Sequence, residues 1–195
     1  MGEVDVLQLA TAVAVVLLAI AWYLSYAAAR LDRLHAKVEG AMAALDGQLI
    51  RRAETALELA MSDELDPSSA LIVADAATSA LERHTVSLTG ADPLDGVTFA
   101  GREVVESDLT EAIVAAVTPE VRTAIGEADG PGWDALERLD AAVVRVQMAR
   151  RFHNDAVRDV RRVRNKLVVR VFRLAGHAAM PAAVEFVDDV PGVTS

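Results

Sequence analysis

Residues 30–64 read RLDRLHAKVEGAMAALDGQLIRRAETALELAMSDE, and the apolar positions in this stretch recur at steps of three and four. These positions are Leu31, Leu34, Val38, Met42 (or Ala41), Leu45, Leu49, Ala53, Leu57 and Ala60. Such spacing is typical of an amphipathic helix, because residues three and four apart share one face. The stretch contains no proline, and we expect its helix to continue from the segment before it.

That preceding segment, residues 6–29, reads VLQLATAVAVVLLAIAWYLSYAAA and carries no charged residue. About 20 apolar residues span the hydrocarbon core of a bilayer. Trp22, Tyr23 and Tyr26 gather at its C-terminal end, where amphipathic rings favour the membrane interface. A signal peptide cleaved after the last residue is the alternative, but such peptides have a basic start and a shorter apolar stretch. We predict an uncleaved transmembrane anchor.

The charges that flank the span predict its orientation. No lysine or arginine precedes it, whereas Arg30, Arg33 and Lys37 follow it directly. Because basic residues stay on the cytoplasmic side, we expect the N-terminus outside the cell and the rest of the chain in the cytoplasm.

Three small residues in the span, Ala21, Ser25 and Ala29, are spaced four apart. This spacing lets two spans approach closely and form a homo-oligomer. The abundance of alanine in this chain explains the same pattern without any association.

Punctuating residues divide the remainder of the chain into further helices. Asp66 and Pro67 predict an N-cap and first position of a second helix that reaches about residue 87. Residues 89–102 predict a loop, and a third helix is expected after Ser107. The pair Thr118-Pro119 predicts either a kink or a restart.

The last predicted helix follows the Gly130-Pro131-Gly132 turn and meets no proline or glycine before Gly176. Its apolar stripe is Leu136, Leu139, Val143, Val146, Ala149, Phe152 (or His153), Ala156, Val160, Val163, Leu167 and Val171. Short connections favour antiparallel neighbours. The predicted fold is therefore all-α: an N-terminal transmembrane helix (1–29), an antiparallel four-helix bundle with a long first and a long last helix (30–174), and an extended, mobile tail (175–195).

Two blocks resemble the LemA family. Residues 45–52, L-D-G-Q-L-I-R-R, are similar to the I-D-x-Q-L-x-R-R signature of that family. Residues 149–159, A-R-R-F-H-N-D-A-V-R-D, are similar to its A-R-x-x-Y-N-D-A-V-R-D segment. Residues 167–172 and 185–187 resemble its closing region, so the blocks cover nearly the whole chain.

The chain also departs from the family. An L-I-P-N run after the double arginine is replaced by residues 55–58, T-A-L-E, an aromatic-proline element near Arg164 is missing, and a common glutamate aligns with Val143. The resemblance implies a membrane-tethered antiparallel helical bundle without established enzymatic chemistry. Relatives are often encoded near membrane zinc proteases, and one branch contains magnetosome membrane proteins. These associations suggest a membrane-organising or protease-accessory role.

Charge is distributed unevenly along the chain. Residues 38–144 hold 21 acidic and 6 basic residues, whereas residues 145–173 hold 10 basic and 2 acidic ones. Either the basic helix packs among acidic partners, or it binds anionic lipid headgroups, at about 1 kcal/mol per basic residue. The second reading predicts a membrane-surface basic patch: Arg30, Arg33, Lys37, Arg158, Arg161, Arg162, Arg164, Lys166, Arg170 and Arg173. The acidic remainder and the scarcity of aromatic residues argue against a nucleic-acid partner.

A polar contact between the first and last helices is also predicted. Counting down two antiparallel helices at the same rise puts residue 149 level with residue 46. Asp46 is then expected to form a hydrogen-bonded contact with Arg150 and Asn154 that fixes the helix register. The alternative is that all three side chains face solvent.

No motif for catalysis or cofactor binding is present. Cysteine is absent, and His35, His84, His153 and His177 lack metal-binding spacing. No nucleophile-elbow or Walker sequence occurs. We therefore predict no enzymatic activity, no cofactor and no metal. The predicted function is a non-enzymatic scaffold or interaction module at the membrane surface, with lipid and an unidentified protein as partners; the alternatives are an accessory subunit of a membrane protease or envelope-stress system, and an exported binding module.

Overall fold

The structure, a computed structural model, describes residues 3–90, 99, 101–128, 130–172 and 179–193. Within these ranges the regular secondary structure is entirely helical, which confirms the predicted all-α class. The helices are α1 (Glu3–Ala60), α2 (Pro67–Gly90), α3 (Arg102–Ala116), α4 (Pro119–Ala128), α5 (Pro131–Arg164) and α6 (Leu167–Val171). The chain divides into two compact units: Met1–Glu39 with Ala156–Pro181, and Gly40–Asp155 with Ala182–Ser195.

In the first unit, the N-terminal part of α1 leaves its apolar side chains exposed. Its most apolar 18-residue window has a mean hydropathy of 2.2 and none of it is buried. This helix is long and apolar enough to cross a membrane. Beyond residue 30 the same helix buries one side, where Leu31 packs with Val163 and Val169 in a small cluster joined by Leu34.

The last helix is shorter than predicted. Rather than running unbroken towards Gly176, α5 ends at Arg164, and α6 begins after Lys166, whose backbone is extended (φ −66°, ψ 137°). The break changes which apolar residues are buried. Val169 is buried in the Leu31 cluster, whereas Leu167 and Val171, both predicted in the core stripe, are exposed.

In the second unit, a core of small and aliphatic side chains joins five helices and the C-terminal segment. This core includes Ala53, Leu59, Val73, Ala77, Leu109, Ile113, Ile125, Leu136, Leu139, Val143 and Val190. A second cluster contains Leu45, Leu49, Phe99, Val146 and Val184, with Ala149 packed against it. Leu45 and Leu49 of α1 thus share a cluster with Val146 of α5, and Ala149 packs against it.

The start of α2 is the one predicted. The Asp66 Oδ1 atom accepts hydrogen bonds from the backbone N–H groups of Ser68 (3.1 Å) and Ser69 (3.2 Å), and Pro67 is the first helical residue. These bonds satisfy two of the donors that every helix start leaves free. Hydrogen bonding from the two serines therefore lowers the pKa of Asp66 to about 2.

The start of α3 lies earlier than expected. The sequence assigned it after Ser107, but α3 begins at Arg102, after Gly101 with its φ of 81°. The Glu103 carboxylate accepts a hydrogen bond from the Gly101 N–H (3.0 Å), whereas the Ser107 hydroxyl donates to the Glu103 carbonyl (2.7 Å). Ser107 is therefore bonded in the manner of a serine inside a helix rather than a cap.

The pair Thr118-Pro119 produces a restart rather than a kink, because α3 ends at Ala116 and α4 begins at Pro119. The predicted loop over residues 89–102 is shorter than expected at both ends, since Gly90 closes α2 and Arg102 opens α3. Its residues 91–98 and 100 lie outside the described part of the chain.

The described part of the C-terminal segment packs against the helices of its own unit. In residues 179–190 the backbone forms no helix or strand, and the Val184 and Val190 side chains are buried among the helices of the second unit. We call residues 182–193 the C-terminal strap.

Candidate functional site

A buried arginine joins two helices of the second unit. Arg52, on α1, is fully buried and its guanidinium group reaches α3. Nη2 donates to the Glu106 carboxylate at 2.8 Å and to the Glu106 carbonyl at 3.0 Å, while Nη1 donates to the Thr110 hydroxyl at 2.9 Å. A charge in such a place is tolerated only when it is paired and hydrogen-bonded.

Burial dominates the electrostatics of this arginine. Desolvation lowers the pKa of Arg52, while the charge and hydrogen bond of Glu106, and more weakly the charge of Asp188, act in the opposite direction. The carboxylate of Glu106 is buried as well. Arg52 therefore depends on Glu106, because no other carboxylate is hydrogen-bonded to its guanidinium group within the described residues.

A second arginine extends this arrangement. Arg102, at the start of α3, is paired with Asp46 of α1 and lies 3.4 Å from Glu106 Oε1. The His84 Nδ1 atom lies 3.1 Å from the same Asp46 carboxylate. We call Asp46, Arg52, His84, Arg102, Glu106 and Thr110 the arginine network; it connects α1, α2 and α3 through charge-assisted hydrogen bonds.

Side chains of α3 and α5 hold the backbone of the C-terminal strap. The Asn154 side-chain amide donates to the Val184 carbonyl (3.0 Å) and accepts from the Val184 N–H (2.9 Å). Gln147 donates to the Asp188 carbonyl (2.7 Å), and Thr110 donates to the Val187 carbonyl (2.7 Å). These contacts satisfy backbone groups that have no strand to pair with.

The side chains of the strap alternate in direction as in a β-strand. Val184, Asp188 and Val190 are buried and Phe186 is half-buried, whereas Glu185, Val187 and Asp189 are exposed. Arg150 binds Asp188 through two hydrogen bonds, of 2.7 and 2.8 Å. The Phe186 ring stacks on Phe99 with centroids 6.0 Å apart and lies 5.8 Å from the Arg52 guanidinium.

The predicted contact of Asp46 with Arg150 and Asn154 is therefore corrected. Arg150 and Asn154, four residues apart on α5, face the C-terminal strap together, and the Asp46 carboxylate has other partners. Asp46 contacts Arg102 and His84, whereas Arg150 and Asn154 contact the C-terminal strap. All three side chains have partners inside the protein, but these partners come from α2, α3 and the C-terminal strap and not from one another.

Residues of the predicted basic patch that the structure describes all belong to the first unit. Lys37 pairs with Asp159 (3.6 Å), Arg161 donates to the Pro181 carbonyl, and Arg164 donates to the Ala179 carbonyl. The other exposed members are Arg30, Arg33, Arg158, Arg162, Lys166 and Arg170. Arg173 lies outside the described residues. The structure thus gives part of the patch an internal role, in binding the chain that follows α6.

Arg52, Arg102 and Glu106 were not singled out from the sequence. A signal existed for Arg52, which lies three residues after Leu49 and four before Ala56, and so falls on the apolar stripe of α1. A charged residue on such a stripe indicates a buried partner. The sequence did not indicate which segment supplies that partner.

The described residues contain no group of three or more histidine, aspartate or glutamate side chains that could hold a metal ion. His177 lies outside them.

An open groove is lined by Glu54, Leu57, Glu58, Met61, Ser62, Pro131, Asp134, Ala135 and Arg138, and the exposed Arg138–Glu58 ion pair (2.6 Å) crosses it. The charge-assisted hydrogen bonds between arginines and carboxylates described above hold helices and chain segments in position. That is what this arrangement of side chains can do chemically.

No family model, curated protein or solved structure matches this chain.

Proposed function

We propose that this chain is a single-span membrane protein whose helical part acts as a non-enzymatic scaffold or interaction module at the membrane surface. One observation carries the proposal: in the N-terminal part of α1, apolar side chains are exposed over a length that suits a bilayer. Leu18 is 70% exposed and Trp22 is 81% exposed. A soluble protein rarely leaves so large a continuous apolar surface in water.

The proposed orientation follows from Arg30, Arg33 and Lys37, which are exposed just after the uncharged stretch. With the basic end retained in the cytoplasm, the N-terminus lies outside. The helices of the second unit then form a cytoplasmic, LemA-like antiparallel four-helix bundle, to which α4 is an addition. Anionic lipid is the proposed partner of the basic residues, and the anchored bundle presents its surface to protein partners.

The arginine network and the packed strap support a structural role for the bundle. Their charges are paired internally, so they hold helices and the C-terminal strap in place. Exposed apolar residues are then the proposed contacts for protein partners. Phe152 on α5 is 67% exposed and Leu71 on α2 is 71% exposed. The buried centre of a protein interface is more apolar than its rim, and phenylalanine is among the residues enriched there.

Cysteine labelling of intact cells tests the anchor and its orientation together, because the chain has no cysteine of its own. Single cysteines replace Gly2, ahead of the span, and Ser79, an exposed residue of α2. We expect an impermeant thiol reagent to label Gly2→Cys in intact cells and Ser79→Cys only after permeabilisation. Labelling of Ser79→Cys in intact cells contradicts the orientation.

A charge placed in the span gives a matched test of anchoring. Leu17→Arg puts a guanidinium group in the exposed apolar stretch, which disfavours insertion by about 3 kcal/mol. We expect more of this variant in the alkaline extract of membranes, whereas Leu71→Arg, at a similarly exposed residue of α2, remains with the membrane pellet. A mature protein that begins at Arg30 and is soluble contradicts the anchor and supports an exported module.

A further inference from the structure

The short helix α6 exposes apolar side chains on a surface rich in positive charge. Leu167 is 74% exposed, Val171 is 65% exposed and Phe172, directly after the helix, is 51% exposed. Leu167 and Val171 are four residues apart and so lie on one side of the helix. Val169 points the other way and is buried against Leu31 and Val163. One side of α6 is thus fixed to the first unit, and the other presents uncovered apolar surface.

The packing of α6 places it beside the end of the proposed span. Its buried residue, Val169, belongs to the same cluster as Leu31. Leu31 follows the uncharged residues 6–29 by two positions, which is about 3 Å along a helix. The apolar side of α6 therefore lies within about one helical turn of the level where the span ends.

The described chain turns just before α6 and is hydrogen-bonded again from Ala179 onwards. On the incoming side, α5 ends at Arg164, and Lys166 adopts an extended backbone that redirects the chain. On the outgoing side, the Arg161 guanidinium donates two hydrogen bonds to the Pro181 carbonyl, of 3.0 and 2.9 Å. Arg164 donates to the Ala179 carbonyl (2.8 Å). Leu167 and Val171 are thus exposed on a helix whose other side is packed through Val169.

The charges around α6 suit an anionic surface. Beyond the span, the described basic residues of the first unit are Arg30, Arg33, Lys37, Arg158, Arg161, Arg162, Arg164, Lys166 and Arg170. The acidic ones are Asp32, Glu39 and Asp159, the last of which is paired with Lys37. Apolar side chains flanked by lysine and arginine, whose long stems reach to headgroups, are typical of helices that lie in a membrane interface.

We infer that α6 and Phe172 form a second membrane contact of this protein, inserted in the plane of an anionic bilayer at the boundary between headgroups and acyl chains. The inference rests on the proposed membrane anchor, because the span sets the level of α6. Leu167, Val171 and Phe172 enter the boundary, and Lys166 and Arg170 bind phosphate groups. A bilayer is the expected occupant, rather than a protein, because the span brings lipid to this surface.

Depth-resolved fluorescence of the full chain in vesicles tests this contact. Val171→Cys carries an environment-sensitive fluorophore, and the vesicles are made of phosphatidylcholine with phosphatidylglycerol. Val171 is exposed, so the substitution leaves the packing of Val169 intact, which circular dichroism verifies. We expect the fluorophore at this position to emit at a shorter wavelength in vesicles than it does in water. We also expect lipid-borne nitroxide near the headgroups to quench it and aqueous iodide to leave it unquenched.

Two reference positions separate this inference from the anchor. The same fluorophore at Leu17→Cys reports the span, and at Ser79→Cys it reports an exposed residue of α2. If Leu17→Cys is quenched by lipid-borne nitroxide while Val171→Cys is quenched by iodide like Ser79→Cys, the contact of α6 is refuted and the anchor stands. If iodide also quenches Leu17→Cys, the anchor itself is wrong.

The remaining occupants give different signals. A second copy of the chain would protect Val171→Cys from iodide without nitroxide quenching, and dilution of the protein with lipid would remove the protection; that result overturns the inference. A charge-reversed variant, K166E with R170E, is expected to weaken nitroxide quenching at Val171→Cys in vesicles containing phosphatidylglycerol. Unchanged quenching overturns the role of the basic residues.

Discussion

The ion pair between Arg52 and Glu106 yields the sharpest test of how the helices are held together. Glu106→Gln removes the carboxylate charge but keeps the size of the side chain, so any loss of stability does not come from a cavity. The Arg52 guanidinium is then buried without a counter-charge that binds it directly, because its other hydrogen bonds go to the Glu106 carbonyl and the Thr110 hydroxyl. Removing one partner of a buried pair costs about 3–5 kcal/mol.

We expect Glu106→Gln, which keeps one hydrogen-bonding oxygen, to lower the free energy of unfolding by about 3 kcal/mol. Denaturant unfolding of the full chain in detergent micelles, followed by far-ultraviolet circular dichroism, measures this change. Glu58→Gln is the matched control, since Glu58 forms a 2.6 Å ion pair with Arg138 that is about half exposed. Exposed pairs contribute about 0–1 kcal/mol.

Removing both charges of the pair separates the cost of an orphaned charge from the value of the contact. Arg52→Met combined with Glu106→Leu leaves no unpaired charge at this place, and such replacements are often neutral or stabilising. We therefore expect the double variant to recover most of the stability that Glu106→Gln loses. If Glu106→Gln and Glu58→Gln destabilise the chain equally, Arg52 does not depend on Glu106 and the reasoning is wrong.

Two further predictions concern the strap and the start of α2. Asn154→Ala leaves the N–H and carbonyl of Val184 without their partners, and we expect a loss of about 1–3 kcal/mol with faster amide exchange at Val184. Phe152→Ala, at a 67% exposed neighbour, is the control and should change neither quantity. The pKa of Asp66 in the folded chain, about 2, is below its ordinary value, so its stabilising contribution is present above the unfolded pKa and is lost as pH falls through about 2. A nuclear magnetic resonance titration that follows the Asp66 carboxylate measures this pKa, and an ordinary value contradicts the prediction. Asp66→Asn is the control: it retains a capping side chain and should remove the dependence of stability on pH that Asp66 causes.

The predictable parts of the fold are those in which neighbours along the chain decide the structure. The apolar periodicity from Leu31 onwards predicted the long first helix, and Asp66 with Pro67 predicted the start of α2. Local bonds also explain the wrong start of α3. Ser107 is a good capping residue in isolation, but Glu103 is able to bind the Gly101 N–H and moves the start to Arg102.

The break at the end of α5 shows where periodicity fails. Val163, Leu167 and Val171 follow helical spacing, so the pattern predicted one uninterrupted stripe. Burying Val169 beside Leu31 instead requires the chain to turn after Arg164. The spacing of apolar residues along the chain does not show that the surface around Leu31 is available for packing. The presence of that surface decided between an unbroken α5 and a break followed by α6.

The sequence by itself determined the all-α class and the uncharged stretch of a length that suits a bilayer, because helical periodicity and the cost of charge in an apolar segment are properties of neighbouring residues. Only the tertiary structure decided the partners of the polar residues. Asp46, Arg150 and Asn154 were recognised as inward-facing, but their contacts with Arg102 and with the C-terminal strap join residues 30 or more positions apart. A buried charge requires a partner, and which segment supplies it depends on how the helices pack in three dimensions.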